Sequence, residues 1–284
     1  MAKVAVVTDS NTCLPPEIIK DFNIGIVPIS LQIDGKVYRD QVDISQDEFW
    51  KLFKNAKKYS ISAPALSDFT KAFQEASKET NEIACVVLSG EMSCAYETAL
   101  QAKNLMMAEN PALKIEIVDS RSTLGAEGFI AIEGARAARA GSNLDEIIRA
   151  MEGLVPGVKW IAAMDTAKYT VQLGRAPKTT YTGNLPQVKV LLAQLHGTAM
   201  PESAGNVRGK NNCFQRMMEI IETNTEPNKP IHAMVHHAGN VEDAEQLKVM
   251  LKEKFDCAEL FVTPYPPAVC MHSGPNGLAI AFYQ

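Results

Sequence analysis

The chain has 284 residues, room for one large domain or two ordinary ones, and its 46 % hydrophobic and 21 % charged residues give the balance of a folded globular protein. Its net charge of -5, with no block of five like charges, argues against a duplex nucleic-acid binder and against a polybasic membrane anchor. No apolar run approaches the roughly 20 residues of a spanning helix, and the N-terminal apolar run meets Asp9 too soon for a signal peptide.

From the N-terminus, "KVAVVT" (Lys3 to Thr8) reads as a buried strand that stops at "DSNTCLPPEII", where Pro15-Pro16 suits a helix start. "IGIVPISLQI" (Ile24 to Ile33) is strand-like, and Asp34-Gly35 predicts a hairpin turn after it. Ser45, three residues before Glu48, makes a capping box in front of the apolar face of "DISQDEFWKLF". "IACVVLS" predicts a second buried strand, with Cys85 as small core filler, and "CAYETALQAKNLMMAE" a helix. "KIEIVDS" (Lys114 to Ser120) is a third strand, followed by the small-residue helix "AEGFIAIEGARAARAG" closed by Gly141. "SNLDEIIRAMEGLV" is a further helix.

Alternating strands and helices of this kind predict a mostly parallel sheet covered on both faces. Ligands of such sheets bind beyond the carboxyl ends of the strands. Three of those ends carry hydroxyls or carboxylates: Thr8, Asp9 and Ser10; Ser89 and Ser93; Asp119, Ser120 and Ser122. As isolated residues, Asp9, Ser10 and Asp119 have a plain reading as caps of strand ends.

The second half is different in texture. "GVKWIAAMDT" opens a new strand, "PQVKVLLAQLHGTAMPE" reads as a strand, a turn and a further segment, and "IHAMVHHAGN" as a strand running into a turn. "VEDAEQLKVMLKEKF" is an amphipathic helix and "GLAIAFYQ" a closing strand. The expected organisation is an N-terminal α/β domain over residues 1–158 and a smaller C-terminal α+β domain over 159–284.

Several chemistries find no motif. "GNVRGKN" (Gly205 to Asn211) misses the phosphate-binding loop in spacing and ending, no G-x-G-x-x-G follows the first strand, and neither H-E-x-x-H nor G-x-S-x-G occurs. His236 and His237 are neighbours on a strand and point to opposite faces, so they do not suit one metal ion. No metal and no cofactor is expected. The six cysteines form no C-x-x-C pair, which suits a reducing cytoplasmic compartment without a disulfide framework.

Taken together, "VVTDSNTCLPPE", "VPISLQIDGKVYRD", "ISAPALSDF", "LSGEMSCAYETA", "VDSRST", "DTAKYTVQLGRAP", "VRGK", "VHHAGN" and "MHSGPNGLAIAF" resemble, in order and spacing and over nearly the whole chain, the DegV family of bacterial fatty-acid-binding proteins. The resemblance implies a lipid-binding protein rather than an enzyme. It implies one long-chain fatty acid in an apolar tunnel between an N-terminal mostly parallel α/β domain and a C-terminal α+β domain. It further implies a separate fatty acid kinase catalytic subunit as partner, which phosphorylates the bound carboxylate.

Residue by residue, the family's Thr-Ser-Gln-Pro falls on "ISAP": Ser62 and Pro64 match, while Ile61 and Ala63 replace the carboxylate-binding Thr and the Gln. Its Leu-Ser-Gly-Thr-Tyr falls on "MSCAY", making Ser93 the carboxylate-binding serine and leaving Cys94 and Ala95 as departures. Its His-Thr-Gly-Pro-Gly falls on "HSGPN", matching His272, with Ser273 for Thr and Asn276 for Gly. Its Gly-Gly-Arg turn falls on "LGR", giving Gly174 and Arg175. The expected ligand-binding set is Ser62, Ser93, Arg175, His272 and Ser273. Arg208 and Lys210, on a basic segment that the family shares, are the expected partner-binding residues.

The chemistry is coherent. A carboxylate leaving water costs several kcal/mol unless it is paired and hydrogen-bonded. A serine at a helix start, a histidine that donates a ring N–H and is tuned near neutral pH, and a nearby arginine supply that pairing. The tail supplies affinity: at roughly 0.8 kcal/mol per methylene, a ~16-carbon chain offers on the order of 12 kcal/mol gross. Two alternatives stay open. One is an α/β small-molecule enzyme using the strand-end Ser and Asp residues. The other is a lipid-responsive regulator, and the departures at Ile61, Ala63, Cys94 and Asn276 leave room for an isoprenoid or another carboxylate.

Overall fold

The first apolar run forms β1 (Ala5–Asp9) in the computed structural model, which describes residues 4–175, 178, 183, 185–195 and 199–284. A 3-10 turn over Ser10–Thr12 leads to α1 (Pro16–Phe22), with proline at the first helical position as expected. The run Ile24 to Ile33, expected as one strand, is two: β2 (Gly25–Val27) and β3 (Ser30–Ile33) fall on either side of Pro28, which has no N–H to give a ladder. Asp34 and Gly35, at φ 47° and 88°, turn the chain into β4 (Lys36–Arg39).

α2 (Gln46–Phe53) begins at the expected capping box. Ser45 Oγ accepts the Glu48 N–H at 3.3 Å, and Glu48 Oε2 accepts the Ser45 N–H at 3.0 Å. Ser45→Ala should cost about 1 kcal/mol, seen as a lower urea midpoint with an unchanged slope. β5 (Tyr59–Ser62), α3 (Leu66–Ser77), β6 (Glu82–Val87), α4 (Ala95–Glu109) and β7 (Lys114–Asp119) follow. α5 (Leu124–Ala140) ends on Gly141 at φ 93°, and α6 (Leu144–Leu154) starts at a second capping box, Asn143 with Glu146.

Among the described residues, β2-β1-β6-β7 form a fully parallel sheet and β4-β3-β5 a small antiparallel sheet with β3 in the middle. Phe69 and Phe73 of α3 and Ala95, Ala99 and Ala102 of α4 are buried against Val7, Val27, Cys85 and Val87 on one face of the parallel sheet. The small residues of α4 let the helix lie close to the strands. α6 packs on β6 and β7.

The rest of the chain builds β8 (Lys159–Met164), α7 (Lys168–Gln172), β9 (Val188–Gln194), β10 (Glu202–Arg208), α8 (Lys210–Thr223), β11 (Ile231–His237), α9 (Val241–Lys254), β12 (Cys257–Pro264), α10 (Pro267–Ser273) and β13 (Leu278–Tyr283). Residues 196–198 of the expected turn after β9 lie outside the described set, as do Ala176 and Pro177 of the "LGRAP" segment. The sheet order is β10-β9-β8-β13-β11-β12, antiparallel except for the β11–β12 pair. Phe214, Met217 and Ile221 of α8 and Leu247 and Leu251 of α9 are buried with Ile161, Val235, Ile280 and Phe282 of the strands. Every residue of β13 is buried, which is why the closing strand is continuously apolar.

The chain sorts into two units. One holds the chain up to Thr123, Glu127–Pro156 and Pro266–Ala268; the other holds Leu124–Ala126, Gly157–Tyr265 and Val269–Gln284. Each is described by itself. Among the described residues, no helix is long and apolar enough to cross a membrane.

Candidate functional site

In the first unit the strand ends carry a dense polar layer. Asp9, at the end of β1, is fully buried; its Oδ1 accepts the Asn11 N–H at 2.8 Å and its Oδ2 accepts the Leu88 N–H at 3.0 Å. The first bond makes the 3-10 turn, and the second ties β1 to the segment leaving β6. Ser10 Oγ donates to Asp40 Oδ2 at 2.7 Å and accepts the Ile29 N–H at 3.1 Å. Asp40 Oδ1 accepts the Ala268 N–H at 3.2 Å. Asp119 Oδ1 accepts the N–H groups of Gly90 at 3.2 Å and Arg121 at 2.8 Å, joining the turns after β6 and β7. The expected capping role of Asp9, Ser10 and Asp119 is therefore what these side chains do, although Asp9 and Ser10 do it in the interior.

Ser93 sits half-buried on the turn between β6 and α4. The Ser89 carbonyl accepts the N–H groups of Met92 and Ser93, both at 3.0 Å, and Ser93 Oγ accepts the Ala95 N–H at 3.2 Å. The cap residue is Cys94, and it makes no side-chain cap bond. Ser93 thus satisfies one orphan N–H of the helix start and keeps its own hydroxyl proton to donate. Cys94 adopts φ -78° and ψ 13°, which any residue tolerates, so losing the family's glycine there places no strain on the turn. Ser62 ends β5, exposed, opposite Ser30 of β3. Ile61 faces Leu31, a fully buried residue, so this departure from threonine extends the apolar face of the three-stranded sheet.

In the second unit His272 lies in the last turn of α10, just ahead of the Gly-Pro-Asn-Gly segment. Thr170, which the sequence reading did not single out, connects it to Arg175. The Thr170 hydroxyl donates to the His272 carbonyl at 2.9 Å, and the Thr170 carbonyl accepts the Arg175 N–H at 2.9 Å. The Arg175 guanidinium donates to the Leu173 carbonyl at 3.2 Å. Burial pushes the His272 imidazole down to about 4, and the Arg175 charge pushes the same way. The ring is therefore neutral at pH 7, not tuned near neutrality as expected, and offers one N–H donor and one acceptor. Ser273 is buried, its Oγ donating to the Gly274 carbonyl at 3.0 Å. Asn276 sits at φ 61°, a left-handed conformation that asparagine accepts more readily than most residues, so it can stand where the family has glycine. Its Nδ2 donates to Asp165 Oδ2 at 3.0 Å.

Arg208 and Lys210 stand at the end of β10 and the start of α8, both exposed. Lys210 Nζ is 2.8 Å from Asp243 Oδ1, a surface pair worth little energy that nonetheless holds the amine near α9. His236, left without a role in the sequence reading, is fully buried. Its Nε2 accepts the Gly125 N–H at 3.1 Å and its Nδ1 lies 2.6 Å from Thr263 Oγ1. Its neighbour His237 is also buried on β11. Among the described residues, no cluster of His, Cys, Asp or Glu could hold a metal ion.

Comparison with known proteins completes the picture. The family model described as "Uncharacterised protein, DegV family" matches residues 3–284. A DegV domain-containing protein of Clostridium acetobutylicum is 27 % identical over 281 residues, covering 99 % of this chain and 97 % of the relative. Among solved structures, a fatty-acid-binding DegV family protein from Thermus thermophilus aligns with a TM-score of 0.87 at 22 % identity, covering 99 % of each chain. The Streptococcus pneumoniae Fatty Acid Kinase (Fak) B3 protein loaded with linoleic acid aligns with a TM-score of 0.86 at 19 % identity, again covering 99 % of each chain.

Proposed function

Because this chain belongs to the DegV family, we propose that it binds a long-chain fatty acid and presents the carboxylate to a separate kinase subunit for acyl-phosphate formation. The observation that carries the reading is the end-to-end structural likeness to a protein loaded with linoleic acid and to another described as fatty-acid-binding. The chain's own residues support it. Ser93 keeps a hydroxyl proton at a helix start, His272 offers a neutral ring N–H, and Arg175 supplies the positive charge that an anion taken from water demands. Ser62 and Ser273 complete the proposed set in lesser roles, since Ser62 is exposed and the Ser273 hydroxyl is already spent on Gly274. In this reading the protein itself does no chemistry: Ser93 Oγ caps the Ala95 N–H at the helix start, and the neutral His272 orients rather than transfers. Arg208 and Lys210 are the proposed contacts to the kinase subunit.

Mass spectrometry of lipid extracted from the purified protein should find one carboxylic acid per chain. His272→Ala removes a hydrogen bond to a charged group, worth about 1.5–3 kcal/mol, and should weaken retention of that acid roughly 10- to 100-fold. A preparation that carries no acidic lipid and takes up none from fatty-acid-loaded vesicles would overturn the reading.

A further inference from the structure

Two carboxyl groups of the first unit are left without any role by lipid binding. Asp9 of β1 and Glu127 of α5 are both fully buried and lie within hydrogen-bond reach of each other. Among the described residues, no cation acts on either of them. The titratable groups that face the pair are Asp40, itself raised by burial and by the Asp9 charge and so opposed to a second negative charge, and the fully buried thiol of Cys85, which burial and the two acids also raise. His236, which takes the Gly125 N–H two residues before Glu127, is uncharged. Two carboxylates cannot both ionise in such a place, because neither has a counter-ion to offset the lost hydration.

The hydrogen bonds say which one keeps the proton. Both oxygens of Asp9 are occupied as acceptors, from Asn11 and Leu88 N–H. Glu127 Oε1 accepts the Thr8 hydroxyl at 3.5 Å and the Asn11 side chain also faces the carboxyl, while Oε2 is buried without a hydrogen-bond partner of good geometry. An orphan buried oxygen of this kind is expensive, but a proton on it, given to Asp9, removes the deficit. We propose that Glu127 stays protonated in the folded protein and donates to an ionised Asp9, and that this pair is the positioning element of the Leu88–Ser93 turn. The order of the two acids agrees with their surroundings: burial lifts Asp9 to about 6 against the pull of its two N–H donors, and lifts Glu127 well above its ordinary range.

The consequence runs through Asp9 Oδ2 to the Leu88 N–H, and from there into the turn whose Ser89 carbonyl holds Ser93. The proton stands whatever Ser93 binds; only the turn's part in gripping a ligand rests on the lipid reading. The sign of the pH dependence follows. A carboxyl raised in the folded state contributes stability that is complete below about 4.5, its unfolded value, and is lost as the pH rises through the folded value.

Glu127→Gln keeps a neutral group with an N–H to donate and removes the titration. Relative to wild type, its folded-to-unfolded ratio should rise by up to about tenfold per pH unit as the pH climbs above about 4.5, the unfolded value of the wild-type group. Infrared spectroscopy of the wild type at about pH 8, above the value near 7 of Asp40, should show a protonated-carboxyl band that Glu127→Gln lacks. The Leu88 amide should exchange its hydrogen at the wild-type rate in Glu127→Gln and faster in Glu127→Leu, which offers Asp9 no donor. If Glu127→Gln fails to fold, the wild-type spectrum alone decides: no protonated-carboxyl band at that pH overturns the proposal. A relative stability independent of pH overturns it as well.

Discussion

His236→Ala should destabilise the protein by about 3–5 kcal/mol, among the largest effects expected of any single change. The ring fills a fully buried position, so truncation leaves a cavity of the kind that costs about 2–5 kcal/mol. It also strands the Gly125 N–H, which has His236 Nε2 as its acceptor, at about 1–3 kcal/mol more, partly offset as the site relaxes. His236→Gln, whose carbonyl could accept the same N–H, should recover part of the loss. The contact is close on both sides: a side-chain carbon added at Gly125 would lie 2.4 Å from His236 Nε2 and 3.0 Å from Ala281 Cβ. Gly125→Ala should therefore destabilise in the same assay.

The same ring sets an acid limit. Burial pushes the His236 imidazole down to about 3 from its ordinary 6.5. The unfolded chain binds the proton first, so the stability that the neutral ring confers is present above about 6.5 and is lost as the pH falls toward 3. Between pH 7 and pH 4 this amounts to about 3 kcal/mol. Urea titrations across that range should show the loss in wild type and a shallower one in His236→Ala. The buried acids of the first unit work in the opposite direction, so stability should peak between the two arms.

Phe69→Ala and Phe73→Ala should each cost about 3–5 kcal/mol. Both rings are fully buried on one face of α3, with centroids 6.0 Å apart, against the parallel sheet. Because the rings touch one another, the double variant should lose less than the sum of the two singles, by about 0.5–3 kcal/mol. Additive losses would mean that each ring packs independently on the strands, contrary to the shared cluster seen here.

Much of the first unit is legible in its residues because local chemistry and global fold agree there. Asp34-Gly35, the Ser45 capping box and Gly141 each demand one backbone geometry, and each has it. The misreadings have physical causes. Pro28 lies inside an apolar run that otherwise looks continuous, and splits it between two sheets. α8 opens on Lys210 followed by Asn211 and Asn212, two poor helix formers, and its buried face begins only at Cys213. α10 spans seven residues, too few for periodicity to declare the helix that carries His272. Thr170 joins His272 to Arg175 through its backbone and hydroxyl, a contact between segments a hundred residues apart that no local pattern encodes. Glu127 did leave a trace: it is a carboxylate among the small buried residues of "AEGFIAIEGARAARA", where a solvent-facing charge has no room.

The position of β13 has a consequence for synthesis. This strand lies between β8 and β11 at the middle of its sheet, yet its residues, 278–283, leave the ribosome long after those of β8. At roughly 5–20 residues per second, the nascent chain would wait several seconds or more with one edge of β8 uncovered. An open, apolar strand edge held for that long is a natural client for a chaperone.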